Sequence, residues 1–415
     1  MLINAANGEY IPSYFYIHID STDDTEIVKK NQPTFVHEYI HFLQDLILPY
    51  CIRNNLGSIN EFAYLVNYCK REQKLSRPFK RWGEDQALVR KQFDATWGSS
   101  DFEDYAVKIS DIRRKYFTIL SGQRIYSYTL EIDGILYQAG ARDFLEYIAH
   151  KIEDRYWGAD AAPDLPYRTV DRIFEYYGLE CIPAEVRVCI AEYCLYNDNP
   201  LHMLIFMFMN NDRIKNNIDT FTNLKSCSEY LLNLVWESRG GFVESILSKT
   251  ERRLNDLSNS LNLHYQNLLF DSVQLWINNV IDYCRDNFAG RFIFAELCNY
   301  PSLSSFGDAL NKIIKDVGIP IIENADHQFM SSLPEQYQAE QFVQFYILHR
   351  FMNFIGSPEK RCPIYNYCVV NVKCEIDRRL CSSDYLSGFD EELCPFKKFL
   401  KLYDLSNVKF SEEGQ

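Results

Sequence analysis

From about Pro183 to Gly356 the chain reads almost entirely in helical periods. EYLLNLVWES, FVESILSKTERRLNDL, LLFDSVQLWINNVIDYC and QAEQFVQFYILHRFMNFIG each bring apolar residues back every three or four positions. No long Pro-, Gly- or Ser-rich linker, low-complexity tract or clear repeat interrupts the chain. Amphipathic stripes of this kind must be buried against other elements. The expectation is therefore a compact, mainly α chain of the α+β type, with β structure confined to a small element. ARDFLEYIAHKIEDRYW reads as a further helix, with Phe144, Leu145, Ile148 and Ile152 on its apolar side. Ahead of it RIYSYTLEIDGILYQAG alternates around Asp133-Gly134, a hairpin signal. YFYIHID, Tyr14 to Asp20, has the β-branched and aromatic content of a strand. Three regions are expected: 1–180 with the strands, a helical region 181–356, and a Cys-rich segment 357–415.

Charge narrows the partners. The net charge of −14 argues against a broad electrostatic footprint for nucleic acid and against an anionic membrane surface. The N-terminal MLINAANGEYIPSYFYIHID has no basic start followed by an apolar run, and the longest apolar stretch, Met203 to Met209, is too short to span a bilayer. A cytoplasmic chain is expected. In that compartment its 13 cysteines are thiols or metal ligands rather than disulfides.

One helix carries chemistry. In TFVHEYIHFLQDL, Asn31, Pro33 and Thr34 supply helix-start residues, and Phe35, Ile40, Leu43 and Leu46 recur at helical spacing. His37 and His41 then stand one turn apart on one face, and Glu38 lies about a hundred degrees round from them. Two neutral nitrogens, a third ligand from elsewhere, an open position for water and a nearby carboxylate are what catalytic zinc requires. The alternative is an amphipathic helix that merely carries two imidazoles. Two glutamates compete for the third ligand position: Glu61 in GSINEFAYL and Glu146 in GARDFLEYIAHKIE.

HEYIH at His37, Glu38 and His41 resembles the gluzincin class of zinc metallopeptidases, the thermolysin-like enzymes, which join HExxH to a glutamate on a later helix. GSINE is similar to the family's third-ligand segment and has its offset, which favours Glu61. The family's ligand helix packs closely on the HExxH helix, and an acidic residue further along it orients a zinc histidine. After Glu61 those places hold Tyr64 and Leu65, whereas Glu146 is followed by Ala149, His150 and, another turn on, Glu153. GARDFLEYIAHKIE also resembles a Glu-x-x-Ala segment of bacterial proteins whose first helix reads HEYxHxxQ, where Gln44 fits. The neighbours favour Glu146. The resemblance implies a zincin-like core and a zinc endopeptidase acting on a protein or peptide, with Glu38 as general base. Tyr137, Tyr147 and His150 neighbour the proposed ligand and are candidates to stabilise an oxyanion. A regulatory protein partner fits a peptidase that must be restrained inside a cell.

The C-terminal segment RCPIYNYCVVNVKCEIDRRLCSSDYLSGFDEELCPF is the second candidate. Five thiols in a polar tail suit a structural zinc or an iron–sulfur cluster, with Cys362, Cys368, Cys381 and Cys394 as ligands and Cys374 left over. Two further readings follow from these features. One is a non-catalytic helical interaction module with a structural zinc; the other is a metal-thiolate sensor coupled to the peptidase.

Overall fold

The computed structural model describes residues 8–21, 32–99, 107–119, 122–158, 162–237, 243–264, 271–357, 361–372 and 394–412. It is mainly helical with small sheets. The first part contains strands β1 (Gly8–Ile11) and β2 (Tyr16–Ile19) and helices α1 (Gln32–Ile47) and α2 (Pro49–Glu72). Strand β3 (Lys74–Arg77) and helix α3 (Glu84–Trp97) come next. Strands β4 (Ile109–Thr118), β5 (Arg124–Ile132) and β6 (Ile135–Ala139) then lead into α4 (Ala141–Trp157). Helices α5 (Thr169–Tyr176), α6 (Ala184–Leu195), α7 (Ile246–His264), α8 (Asp271–Asn287), α9 (Ile293–Cys298) and α10 (Leu303–Val317) build the helical part. Strands β7 (Ile319–Asn324) and β8 (Phe329–Ser332), helices α11 (Val343–Gly356) and α12 (Pro395–Leu402) and strand β9 (Lys409–Glu412) complete the chain. Further helical segments lie between α6 and α7, among them the nine-residue helix Leu224–Leu232. The apolar run at Met203 to Met209 is one of them, mostly π-helical over Leu204–Met209. No helix among the described residues is long and apolar enough to cross a membrane.

The sheets tie distant parts of the chain together. The four-stranded sheet has the order β1-β2-β7-β8, with β1 antiparallel to β2 and β2 parallel to β7 in the register Tyr16↔Ile321 to Ile19↔Asn324. The strand expected at Tyr14 to Asp20 is thus an inner strand. The outer strand is β1, whose four residues are too short to announce themselves by alternation. Strand β9 pairs parallel with β3. The expected regions 1–180, 181–356 and 357–415 therefore share strands, and their buried apolar residues form one cluster.

Two elements position the site. Helix α1 lies over β1 and β2 and buries Phe35, Tyr39, Phe42 and Leu43; Phe42 stacks on Trp276 of α8. Helix α4 packs across α1 and buries Ala141, Phe144, Ile148 and Ala149 completely. The hairpin before α4 turns at Asp133 and Gly134, which both take positive φ (48° and 81°), as a tight right-twisted hairpin requires. Gly140 then joins β6 to α4. A Cβ there would stand 2.5 Å from Thr96 O, so only glycine allows the end of α3 to pass so close. The first turn of α4 is pinned by buried Asp143, which accepts from Gly140 N (2.8 Å), Tyr137 Oη (2.6 Å) and Thr169 Oγ1 (2.6 Å).

Candidate metal centre

On α1, His37 and His41 point the same way, and α4 delivers Glu146 to them. Glu146 Oε2 lies 3.2 Å from His37 Nε2 and 3.3 Å from His41 Nε2. This trio is the one group of three or more His, Cys, Asp or Glu side chains, among the described residues, whose ligand atoms fall within one ion's reach.

The far nitrogens of the two imidazoles are both committed. His37 Nδ1 lies 3.0 Å from Glu153 Oε2, and a carboxylate can only accept, so Nδ1 carries the proton. His41 Nδ1 lies 2.8 Å from Gln44 Oε1. The Gln44 amide is fixed because its Nε2 donates to Leu145 O at 3.1 Å. That leaves Oε1 facing His41, so His41 Nδ1 also donates. Both Nε2 atoms are thereby free to turn lone pairs toward one point, the arrangement by which histidine ligands are oriented for a metal.

The spacing fits zinc. Ligand bonds of about 2.0–2.1 Å in a tetrahedron place donor atoms roughly 3.3–3.4 Å apart, and the observed separations from Glu146 are 3.2 and 3.3 Å. The charge balance fits a cation too. Burial works against a charge on His37, but the Glu146 and Glu153 carboxylates outweigh it and hold its pKa well above the ordinary imidazole value. Burial likewise opposes the charge on Glu146, yet the two histidines hold its pKa well below the usual carboxylate range. A cation held by the three donor atoms would replace the proton that these carboxylates favour on His37.

Glu38 is not part of the trio. It is almost wholly buried, and burial raises its pKa despite the opposing charges of His37 and His41. Glu38, both histidines and Glu146 share the wall of a cavity of about 280 Å³. Tyr10, Tyr50, Trp97, Leu145 and Tyr167 make its apolar walls, and Arg142 and Asp45 add charge.

Glu61 goes elsewhere. Arg90 Nη2 and Nε grip its two oxygens, the former at 2.8 Å, and it lines a separate pocket on α2 and α3. The offset that favoured it is met in sequence only. Helix α1 ends at Ile47 and α2 begins at Pro49, so residue 61 sits on a different helix from the two histidines and is not in their group. The oxyanion candidates fare unevenly. Tyr137 Oη donates to Asp143 and Tyr147 Oη to Asp171 (2.7 Å), so both hydroxyls serve the core. His150 is buried beside Tyr167, and burial lowers its pKa to about 4. Tyr10, Asp45 and Arg142 were not singled out beforehand. Tyr10 and Asp45 reach the site through contacts more than thirty residues apart, which no local pattern signals.

Among the described residues the tail cysteines form no such group. Cys362 and Cys394 are buried in the apolar cluster and Cys368 is half-buried, but the three do not converge on one point. Cys374 and Cys381 lie outside the described residues, as does Asn31. Of the eight cysteines elsewhere, Cys181 is exposed and the others are buried.

Compared with models of protein families, with curated proteins and with solved structures, the chain matches none of them.

Proposed function

We propose that the chain is a zinc-dependent endopeptidase that hydrolyses peptide bonds in a protein substrate. The observation that supports this most is the convergence of His37 Nε2, His41 Nε2 and Glu146 Oε2, with both outer nitrogens tied back and Glu38 beside them on a cavity wall. Zinc held there supplies a Lewis acid that acidifies water and polarises a carbonyl. Glu38 takes the proton of the attacking water and passes it to the leaving amine nitrogen. Its burial suits that task, because raising a carboxyl pKa makes it a better proton acceptor at neutral pH. Glu153 and Gln44 hold the imidazoles in the tautomer that leaves Nε2 available. Strand β1 is the outer strand of its sheet, and Gly8, Glu9 and Tyr10 line the cavity. An extended substrate segment can add its backbone along such an edge.

The test is Glu38→Gln. This variant should fold and keep one zinc per chain, since Glu38 is not a ligand. It should lose peptide hydrolysis by ~10²–10⁴-fold, the usual cost of a missing general base. Cellular protein fragments produced by wild type and by Glu38→Gln provide the assay without a known substrate. Identical fragments at identical yield from both would refute the assignment.

A further inference from the structure

Glu38 is held from outside its own helix. Asp45 follows it by two turns of α1, so both carboxyls face β1, and both are buried. Tyr10 of β1 reaches the second of them: its hydroxyl donates to Asp45 Oδ2 at 2.7 Å. The same Asp45 oxygen accepts from Ser13 N at 2.8 Å. Ser13 sits at φ 69° in the turn that leaves β1, and its hydroxyl donates to Asn55 Oδ1 at 2.6 Å. Asn55 in turn donates to the Asp45 carbonyl at 3.1 Å, which ties α2 into the same knot. At the other end of β1, Gly8 stands against Glu38. A Cβ there would lie 3.1 Å from Glu38 Cγ and 2.9 Å from Thr34 Cγ2.

We infer that Tyr10 and Asp45 are positioning residues for the general base: their bond locks β1 against α1 and so holds Gly8 of β1 against the Glu38 side chain. This rests on the reading of Glu38 as a base. A purely structural role for Asp45 would satisfy the buried Ser13 N–H and do nothing for turnover. The two roles differ in what a substitution changes. Tyr10→Phe deletes one hydroxyl and keeps the ring in the cavity wall. If the hydroxyl acts through Glu38, kcat falls and KM and zinc content stay. The expected loss is about tenfold, the rate equivalent of one buried hydrogen bond. Gly8→Ala crowds Glu38 directly and should give the same pattern without touching Asp45.

The experiment measures kcat and KM on a synthetic peptide spanning a cut that wild type makes and Glu38→Gln does not, with zinc stoichiometry, for wild type, Tyr10→Phe, Asp45→Asn, Asp45→Ala and Gly8→Ala, together with Tyr10→Phe in the Glu38→Gln background. Asp45→Asn retains an acceptor for Tyr10 and Ser13 and should recover most of the kcat that Asp45→Ala loses. Tyr10→Phe should add nothing once Glu38 is Gln, because the group it positions is gone. Full kcat in Tyr10→Phe, or an equal loss in both backgrounds, overturns the positioning role alone. A rise in KM at constant kcat overturns it as well and makes Tyr10 a substrate contact. Wild-type hydrolysis no greater than that of Glu38→Gln overturns the peptidase reading itself.

Discussion

Glu146→Ala removes one of three converging donor atoms, and its effect on zinc affinity can be ranked against two other carboxylates. Glu153 touches His37 only at the far nitrogen, and losing such an outer partner costs about 10–100-fold in metal affinity. Glu146 supplies the donor atom itself, so Glu146→Ala should exceed that range. Glu61 shares no partner with the trio. Its bidentate pair with Arg90 lies at a partly exposed surface, worth roughly 0–1 kcal/mol of stability. Sites without shared partners couple by no more than ~0.5 kcal/mol, which is about twofold in affinity. The predicted order of loss is therefore Glu146→Ala, then Glu153→Ala, then Glu61→Ala. Competition of each purified variant against a chromogenic zinc chelator reads it, with circular dichroism confirming that each is folded. Loss of zinc in Glu61→Ala comparable with that in Glu146→Ala would refute the geometric reasoning. An unaltered Glu153→Ala would refute the account of how His37 is oriented.

Gln44→Ala should also weaken zinc by about 10-fold or more, because His41 Nδ1 loses the acceptor that fixes its tautomer; isothermal titration with zinc would measure it. Zinc at a hundred times its dissociation constant should stabilise the fold by ~2.7 kcal/mol, and that gain should vanish in His41→Ala; thermal melts with and without chelator test both arms. Buried Glu192 on α6 accepts from Ala295 N at 2.9 Å, and burial raises its pKa from 4.5 to about 8. The folded state then holds a proton that the unfolded state has released, so this contribution is intact below pH ~4.5 and is lost as pH rises toward about 8. Across that window stability should fall by a few kcal/mol more, on the order set by linkage, in wild type than in Glu192→Gln, where buried Asp45 and Asp143 still contribute; parallel slopes in the two would refute it.

Much of this was legible in local patterns. The segment ARDFLEYIAHKIEDRYW forms α4 from its first residue to its last, because Gly140 and Gly158 close it on both sides and its apolar stripe is unbroken. The Asp133-Gly134 turn followed from the need for positive φ at both positions. The preference for Glu146 came from small Ala149, which is indeed fully buried where α4 crosses α1. What local patterns hid was pairing at a distance. EYLLNLVWES was expected as one helix, yet the helix stops at Leu232 and Trp236–Glu237 pair as strand, since tertiary contacts override propensity in a β-branched, aromatic stretch. No local pattern marks Asp45, whose role as acceptor for Tyr10 and Ser13 depends on where β1 lands.

The parallel pairing of β2 with β7 has a consequence for synthesis. A ribosome that has released residues 8–157 has already produced both histidines, Glu38 and Glu146. The neighbour that covers the inner edge of β2 is not made until Ile319–Asn324 emerge. Until then β2 carries an open flank, and the strand that lines the cavity is anchored to nothing beyond it. Closing so long a loop is slow relative to forming helices. The nascent chain thus holds His37, His41, Glu38 and Glu146 in an incomplete cradle until residue 319 is made, and a product truncated before that point keeps these four residues but exposes a strand edge prone to aggregation.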